Sequence, residues 1–135
     1  MIVHIEHLGI AVENAEKAKG TFEMLLDRKL DKSETVFSEN LETHFFKIGQ
    51  SQIELLESLN PDGVISRFIE KKGQGMHHLA LKTDNILLEI SRLKTLGFEF
   101  LSDSPKKGAD NKLIIFLHPR STEGVLIELC QDINP

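Results

Sequence analysis

The 135-residue chain has no tryptophan or tyrosine, only one cysteine and no long apolar stretch. Without a run of ~20 apolar residues, a membrane-spanning helix is not expected. The opening residues show neither the basic region nor the apolar core of an export signal, so we expect a cytoplasmic protein without a membrane partner. The single cysteine, Cys130, cannot form an internal disulfide, and its apolar neighbours predict a small buried side chain rather than a nucleophile.

The charge and the aromatic content argue against a nucleic-acid partner. The formal net charge is -5, the lysines and arginines are scattered, and aromatic residues make up 6% of the chain. Nucleic-acid-binding proteins instead present basic faces with interleaved aromatic side chains. With 40% hydrophobic and 27% charged residues, the composition is typical of a globular protein, and we predict a single domain over residues 1–135.

An internal repeat organises the sequence. His7 and the leucine after it recur as His78 with its own leucine, 71 residues later. A second correspondence follows 47 and 50 residues after these histidines, where Glu54 and Glu128 each lie in an apolar segment. Such a duplication indicates one structural unit used twice. Because units of about 70 residues are marginally stable alone, we expect the two copies to share one core.

Each copy is predicted to fold as βαβββ, which places the chain in the α+β class. The modules span residues 1–59 and 75–135, and a short helical link over 60–74 joins them. The alternating and helical patterns predict strands at 2–12, 29–36, 41–48, 51–56, 76–82, 98–102, 113–118 and 124–130, and helices at 15–27 and 86–96. The helix of the link should end before Lys71, and the polar loop 105–112 is a candidate for ligand contact.

The repeated histidines and glutamates are the candidate site. Glu54 and Glu128 have apolar neighbours and should be buried, which is costly for a carboxylate unless it is paired or bound to a metal. Together with His7 and His78 they form a natural ligand set for a divalent cation such as Zn, Co, Ni or Fe(II). A lone histidine on a strand is more often structural. We therefore assign no ligand role to the remaining four: His4, His44, His77 and His118.

Four segments carry a family resemblance: residues 7–12, 53–57, 73–80 and 116–130. Through them the chain resembles the vicinal oxygen chelate, or glyoxalase-like, superfamily and, within it, the methylmalonyl-CoA epimerases. The resemblance covers almost the whole chain. Its most specific part is the run from His118 to Leu129, whereas residues 77–80 alone indicate only the superfamily.

This resemblance implies a fold in which two βαβββ modules form a shared metal-binding cleft. It implies His7, Glu54, His78 and Glu128 as ligands of a divalent cation, with Co2+ favoured over Mn2+, Ni2+ and Zn2+. It also implies an acyl-CoA substrate and inversion at C2 of methylmalonyl-CoA through a metal-stabilised enediolate. We expect a homodimer because the outer helix faces and strand edges of the two small modules need cover. Glu128 is the candidate base. Some relatives have a second glutamate at the place where this chain has Thr43, so the second base is open.

Two alternative functions remain on the same scaffold. One is a glyoxalase I-like isomerase or lyase, and the other is a non-catalytic protein that binds a small molecule in its cleft. Fold alone does not choose among them. Metal analysis separates the binding protein from the enzymes, and proton exchange at C2 of methylmalonyl-CoA separates the two enzymes.

Overall fold

The computed structural model describes residues 1–133, which contain three α-helices and eight β-strands. The helices are α1 (Ala15–Leu26), α2 (Val64–Lys72) and α3 (Ile86–Thr95). The strands are β1 (Ile2–Ala11), β2 (Lys32–Val36), β3 (Leu41–Ile48), β4 (Ser51–Ser58), β5 (Gly75–Thr83), β6 (Lys106–Lys107), β7 (Lys112–Phe116) and β8 (Ile127–Asp132). The element order confirms the α+β class and the two βαβββ modules. No helix within residues 1–133 is long and apolar enough to cross a membrane.

The chain groups into two compact units whose bounds differ from those of the modules. The central unit comprises Leu8–His77, and the flanking unit comprises Met1–His7 together with the chain from His78 on. Strand β1 is divided between them, since it begins at Ile2 and ends at Ala11. The single domain over residues 1–135 stays a prediction.

In the central unit, β2, β3 and β4 are successive antiparallel neighbours. Helix α1 begins after Asn14, whose side chain accepts a hydrogen bond from the Lys17 amide at 3.1 Å. This cap satisfies one of the free amides at the helix N-terminus. Ala15 of α1 belongs to the core cluster that also contains Phe46 of β3 and Leu55 of β4. The apolar side of α1 therefore lies on the sheet, as its helical spacing predicted.

Helix α2 is longer than the sequence predicted. It runs through Lys71 to Lys72 instead of ending before them, and Gly73 then adopts a φ of 80°. Lysines in the last turn of a helix are favourable because they face the negative end of its dipole. The helix packs Ile65 against Leu56 of β4.

In the flanking unit the strand order is β5-β8-β7-β6, with β5 and β8 parallel and the other neighbours antiparallel. Helix α3 begins after Asn85, whose side chain accepts from the Leu88 amide at 3.1 Å. The helix covers one face of the sheet through a buried cluster of Ile86, Ile90, Leu93, Ile115, Leu117 and Leu129.

The predicted strand at 98–102 is wrong. Only one isolated bridge forms there, between Phe100 and Leu117. The first strand after α3 is the two-residue β6, which lies inside the predicted loop 105–112. The apolar side chains of Phe98 and Phe100 pack against the cluster beneath α3. Their alternation thus reflects core contacts rather than a continuous ladder of backbone hydrogen bonds.

Candidate metal centre

His7 and His78 meet in the flanking unit. His7 lies on β1 and His78 on β5, and both side chains are buried. Their Nε2 atoms are 3.0 Å apart, and the ring planes are nearly perpendicular at 86°. The duplicated histidines are therefore adjacent in space, with corresponding ring nitrogens directed at each other.

Glu128 of β8 joins the two histidines. Strands β5 and β8 run parallel with Ala80 opposite Glu128, and alternation places His78 on the same face of β5 as Ala80. One carboxylate oxygen, Oε1, lies 3.3 Å from Nε2 of His78, and the other, Oε2, lies 3.7 Å from Nε2 of His7. The Glu128 side chain is buried and out of reach of bulk water, so the two imidazoles are its polar partners.

The charge state of Glu128 follows from this setting. Burial raises the pKa of the Glu128 carboxyl, but hydrogen bonds and charge interactions with His7 and His78 outweigh it and lower the pKa to about 2. The group is therefore an ionised carboxylate throughout the neutral range. An ionised carboxylate is the form in which a glutamate binds divalent cations.

The geometry of these three side chains fits a metal ion. One ligand atom from each of His7, His78 and Glu128 can be chosen so that all lie within 4.8 Å of one another. Ligand atoms at ~2.0–2.2 Å from a cation sit roughly 3 Å from their neighbours in the shell. The observed separations of 3.0 and 3.3 Å match that spacing. Three protein ligands of N and O type leave further coordination positions for other groups.

Glu54, the fourth predicted ligand, lies on β4 in the central unit and is 4% exposed. Its strand neighbour across the ladder is Phe45, just as Phe116 is the neighbour of Glu128. The two glutamates therefore occupy equivalent places in their modules, and both are buried as predicted. Membership of Glu54 in the cation site stays a prediction.

Sequence reasoning missed Glu6. Its Oε1 atom lies 2.6 Å from Nδ1 of His7, and both side chains are buried. Strict strand alternation puts neighbouring residues on opposite faces, so the strand pattern gives no indication that Glu6 contacts the His7 ring. The apolar setting of a glutamate beside a candidate ligand was the available signal.

Phe116 also contacts the site. Its ring meets the His78 imidazole edge to face, with centroids 5.5 Å apart and planes at 85°. This contact restricts the orientation of the His78 ring. The position of Phe116 at the end of β7, opposite Glu128, could not be read from the local sequence pattern because strand pairing is non-local.

The histidines without a predicted role have other surroundings. His44 Nδ1 lies 2.7 Å from Ser33 Oγ in the central unit, and the His77 ring packs edge to face on Phe68 with centroids 4.9 Å apart. His118 accepts a hydrogen bond from the Arg120 amide. Cys130 is fully buried, as predicted.

The amino-acid sequence matches one protein superfamily and is similar to several known proteins. The model of the Glyoxalase/Bleomycin resistance protein/Dioxygenase superfamily matches residues 6–116. An uncharacterized protein, YqjC, of Bacillus subtilis is 35% identical, over 94% of this chain and 91% of the relative. The mitochondrial methylmalonyl-CoA epimerase of Homo sapiens is also 35% identical, over 94% of this chain and 73% of the relative.

Solved structures agree with this assignment. Methylmalonyl-CoA epimerase from Mycobacterium tuberculosis has a TM-score of 0.93 at 27% identity, covering 98% of this chain and 90% of that one. A variant of the Streptomyces coelicolor methylmalonyl-CoA epimerase, solved in complex with 2-nitronate-propionyl-CoA, has a TM-score of 0.94 at 26% identity, covering 99% and 100%. The resemblance seen in the sequence is thereby confirmed. The chain belongs to the Glyoxalase/Bleomycin resistance protein/Dioxygenase superfamily.

Proposed function

We propose that this protein is a metal-dependent epimerase that interconverts (R)- and (S)-methylmalonyl-CoA. The named relatives support an isomerase, because the human and Mycobacterium tuberculosis proteins are methylmalonyl-CoA epimerases. The observation that carries the proposal is the group of His7, His78 and Glu128, with two imidazole nitrogens 3.0 Å apart beside a buried carboxylate. This is a donor set suited to a divalent cation in an enzyme that polarises oxygen atoms of its substrate.

The proposed cation is divalent, with Co2+ favoured over Mn2+, Ni2+ and Zn2+. His7, His78 and Glu128 would hold it, with Glu54 as the fourth ligand by analogy between the two modules. When bound, the cation supplies Lewis-acid stabilisation of negative charge on the thioester and carboxylate oxygens of the substrate. Its two positive charges also offset the burial of the glutamate side chains.

Glu128 is the proposed proton acceptor at C2. Despite its burial, which raises the carboxyl pKa, His7 and His78 lower that pKa to about 2, so it is ionised at neutral pH and is a weak base. General-base catalysis is most efficient when the base has a pKa near the working pH. The proposed role therefore requires a strongly acidified C2 proton, which the adjacent thioester and carboxylate of methylmalonyl-CoA provide.

A second group is needed for inversion, since the proton must leave one face of the planar carbon and return to the other. Thr43 lies on β3, is 1% exposed and pairs with Leu56 across the ladder. Its neighbours Glu42 and His44 lie on the opposite face of β3 by alternation. Since a threonine hydroxyl is far too weak a base near neutrality, we propose water as the second proton carrier.

The proposed partners are an acyl-CoA and a second copy of this chain. The Streptomyces coelicolor relative was solved with an acyl-CoA compound, which supports an acyl-CoA substrate here. The homodimer is proposed because Val3 and Ile5 of β1 are 55% and 47% exposed, and contact with a second copy would remove this apolar surface from water. Twofold pairing is the commonest way in which protein chains supply it.

Proton exchange tests the function directly. Each enantiomer of methylmalonyl-CoA is incubated with the purified protein in deuterated water, and deuterium at C2 and the enantiomer ratio are followed by NMR and chiral chromatography. We expect deuterium incorporation together with racemisation, and neither after replacement of His78 by alanine. Metal-loaded protein that exchanges no C2 proton, yet isomerises a glutathione hemithioacetal, would contradict the proposal in favour of a glyoxalase-like activity.

A further inference from the structure

The Glu6 carboxylate is buried and close to the ring nitrogen of His7 that faces away from the candidate cation site. Glu6 is 6% exposed, and its Oε1 lies 2.6 Å from Nδ1 of His7. The other ring nitrogen, Nε2, is the one that lies near His78 and Glu128. The imidazole of His7 therefore bridges Glu6 on one side and the candidate ligands on the other.

The contact with Glu6 bears on which ring nitrogen of His7 holds the proton. An ionised carboxylate only accepts hydrogen bonds, so with Glu6 in that form the hydrogen of the Glu6–His7 contact lies on Nδ1. In a neutral imidazole the other nitrogen then has the free lone pair. That nitrogen is Nε2, which is directed at His78.

We propose that Glu6 is a positioning residue for the cation site, because its carboxylate holds the His7 ring in the tautomer and orientation that direct the Nε2 lone pair toward His78 and Glu128. This inference rests on the proposed metal-dependent function. Metal-ligating histidines commonly donate their second ring N–H to a carboxylate, which fixes the ring and increases its basicity. Glu6 supplies that partner from the residue directly before the ligand.

Lys112 provides part of the electrostatic support for Glu6. Burial lowers the pKa of the Lys112 ammonium, but its hydrogen bond to Asp132 and the charges of Glu6, Asp110 and Asp132 outweigh this and raise it. Lys112 Nζ lies 2.6 Å from Asp132 Oδ1, and Lys112 is itself buried. The attraction between the Lys112 ammonium and the charge of Glu6 is mutual, so Lys112 favours a negative charge at Glu6.

The variant Glu6→Gln tests this role. A glutamine amide can present either its oxygen or its NH2 group to Nδ1, so it no longer imposes one tautomer. We expect Co2+ titrated into the metal-free full-length protein to bind about 10–100-fold more weakly than to wild type in calorimetry. Glu6→Asp retains the carboxylate on a shorter side chain and should give an intermediate affinity.

A matched control separates positioning from general damage to a buried glutamate. Glu89 is also buried in the same unit and accepts a hydrogen bond from Arg92 at 2.8 Å. Glu89→Gln is expected to lower the melting temperature of the metal-free protein without changing its affinity for Co2+. Glu6→Gln should instead bind Co2+ much more weakly, while its melting temperature without metal changes little.

A spectroscopic measurement reports the tautomer itself. In the Co2+-loaded wild type we expect one strongly shifted, exchangeable N–H proton signal for each ligating histidine. In Glu6→Gln or, if that variant does not fold, Glu6→Asp, one signal should move or exchange faster while the other is unchanged. Wild-type affinity with both signals unchanged would overturn the role of Glu6. Failure of the wild type to bind Co2+ would instead overturn the metal site, and the inference with it.

Discussion

The Nε2 atoms of His7 and His78 lie 3.0 Å apart, although 71 residues separate the two histidines in the chain. Two neutral imidazoles at this distance share one hydrogen between two nitrogens, whereas a cation satisfies both lone pairs at once. Glu128 completes the group with oxygens at 3.3 and 3.7 Å from these nitrogens. The two histidines that the repeat marks in the sequence are therefore neighbours in the fold.

Replacement of His78 by alanine should remove metal and activity together. We expect the metal content of the purified protein to fall to background and epimerisation to fall by more than about 100-fold, the order of loss seen when a main electrostatic stabiliser is deleted. His77→Ala is the matched control, since its ring packs on Phe68, and it should retain metal and most activity. Metal content by mass spectrometry and C2 exchange measure both. Equal losses in the two variants would contradict the assignment.

Replacement of Glu54 by alanine tests the fourth ligand, because alanine has no ligand atom, whereas a glutamine oxygen could still bind a cation. If Glu54 binds the cation, affinity for Co2+ should fall by at least the ~10-fold typical of losing a group near a metal. Glu57 lies on the same strand but accepts a hydrogen bond from the Ala15 amide at 3.0 Å, so Glu57→Ala is the control and should bind Co2+ normally. Affinity is measured by calorimetric titration, and unchanged affinity in Glu54→Ala would remove Glu54 from the ligand set.

Thr43→Glu tests the missing second base. With a base on only one face, wild type should exchange the C2 proton of one enantiomer more slowly than that of the other. The introduced glutamate is expected to speed the slower exchange, while Thr43→Gln, which has the same length and no basic group, should not. Initial rates for each enantiomer in deuterated water provide the comparison. Equal and fast exchange of both enantiomers in wild type would show that a second base exists elsewhere.

Asp132 should contribute to stability only above acidic pH. Hydrogen bonds from Lys112 and Lys82 lower the pKa of the Asp132 carboxyl from 3.8 to about 2. The stabilisation is therefore complete above pH ~4 and is lost as the pH falls toward 2. Because the carboxyl is 53% exposed, screening limits it to about 1 kcal/mol or less.

Urea unfolding with a chelator present measures this contribution. Asp132→Asn should be less stable than wild type at pH 7 and similar to it near pH 2. Asp103→Asn, at an exposed position, should show no such convergence. A stability difference for Asp132→Asn that stays constant down to pH 2 would contradict the shifted pKa.

The proposed dimer predicts a defined mass in solution. Light scattering at micromolar concentration should give twice the 15.3 kDa of the chain. Replacing Val3 and Ile5 by threonine keeps β-branched side chains in the strand and removes part of the exposed apolar surface, so it should shift the protein toward monomer. A monomeric wild type would count against the dimer.

Much of the fold was accessible from the sequence because it is encoded locally. Period-two and helical patterns predicted the order of strands and helices. The predicted strand at 98–102 was wrong because alternating apolar residues can belong either to a strand or to a loop that packs on the core. Phe98 and Phe100 alternate like a strand but pack against the cluster beneath α3, and no local pattern distinguishes the two uses.

The sequence by itself determined which residues are candidates for the cation site, because the duplication marks His7, Glu54, His78 and Glu128 in equivalent apolar segments. Only the tertiary structure decided that Nε2 of His7 faces Nε2 of His78, and that Glu6 lies against the other nitrogen of the His7 ring. Alternation specifies the face of a strand but neither the neighbouring strand nor a distance. Those depend on pairings between residues far apart in sequence, such as β5 with β8, which no local pattern encodes.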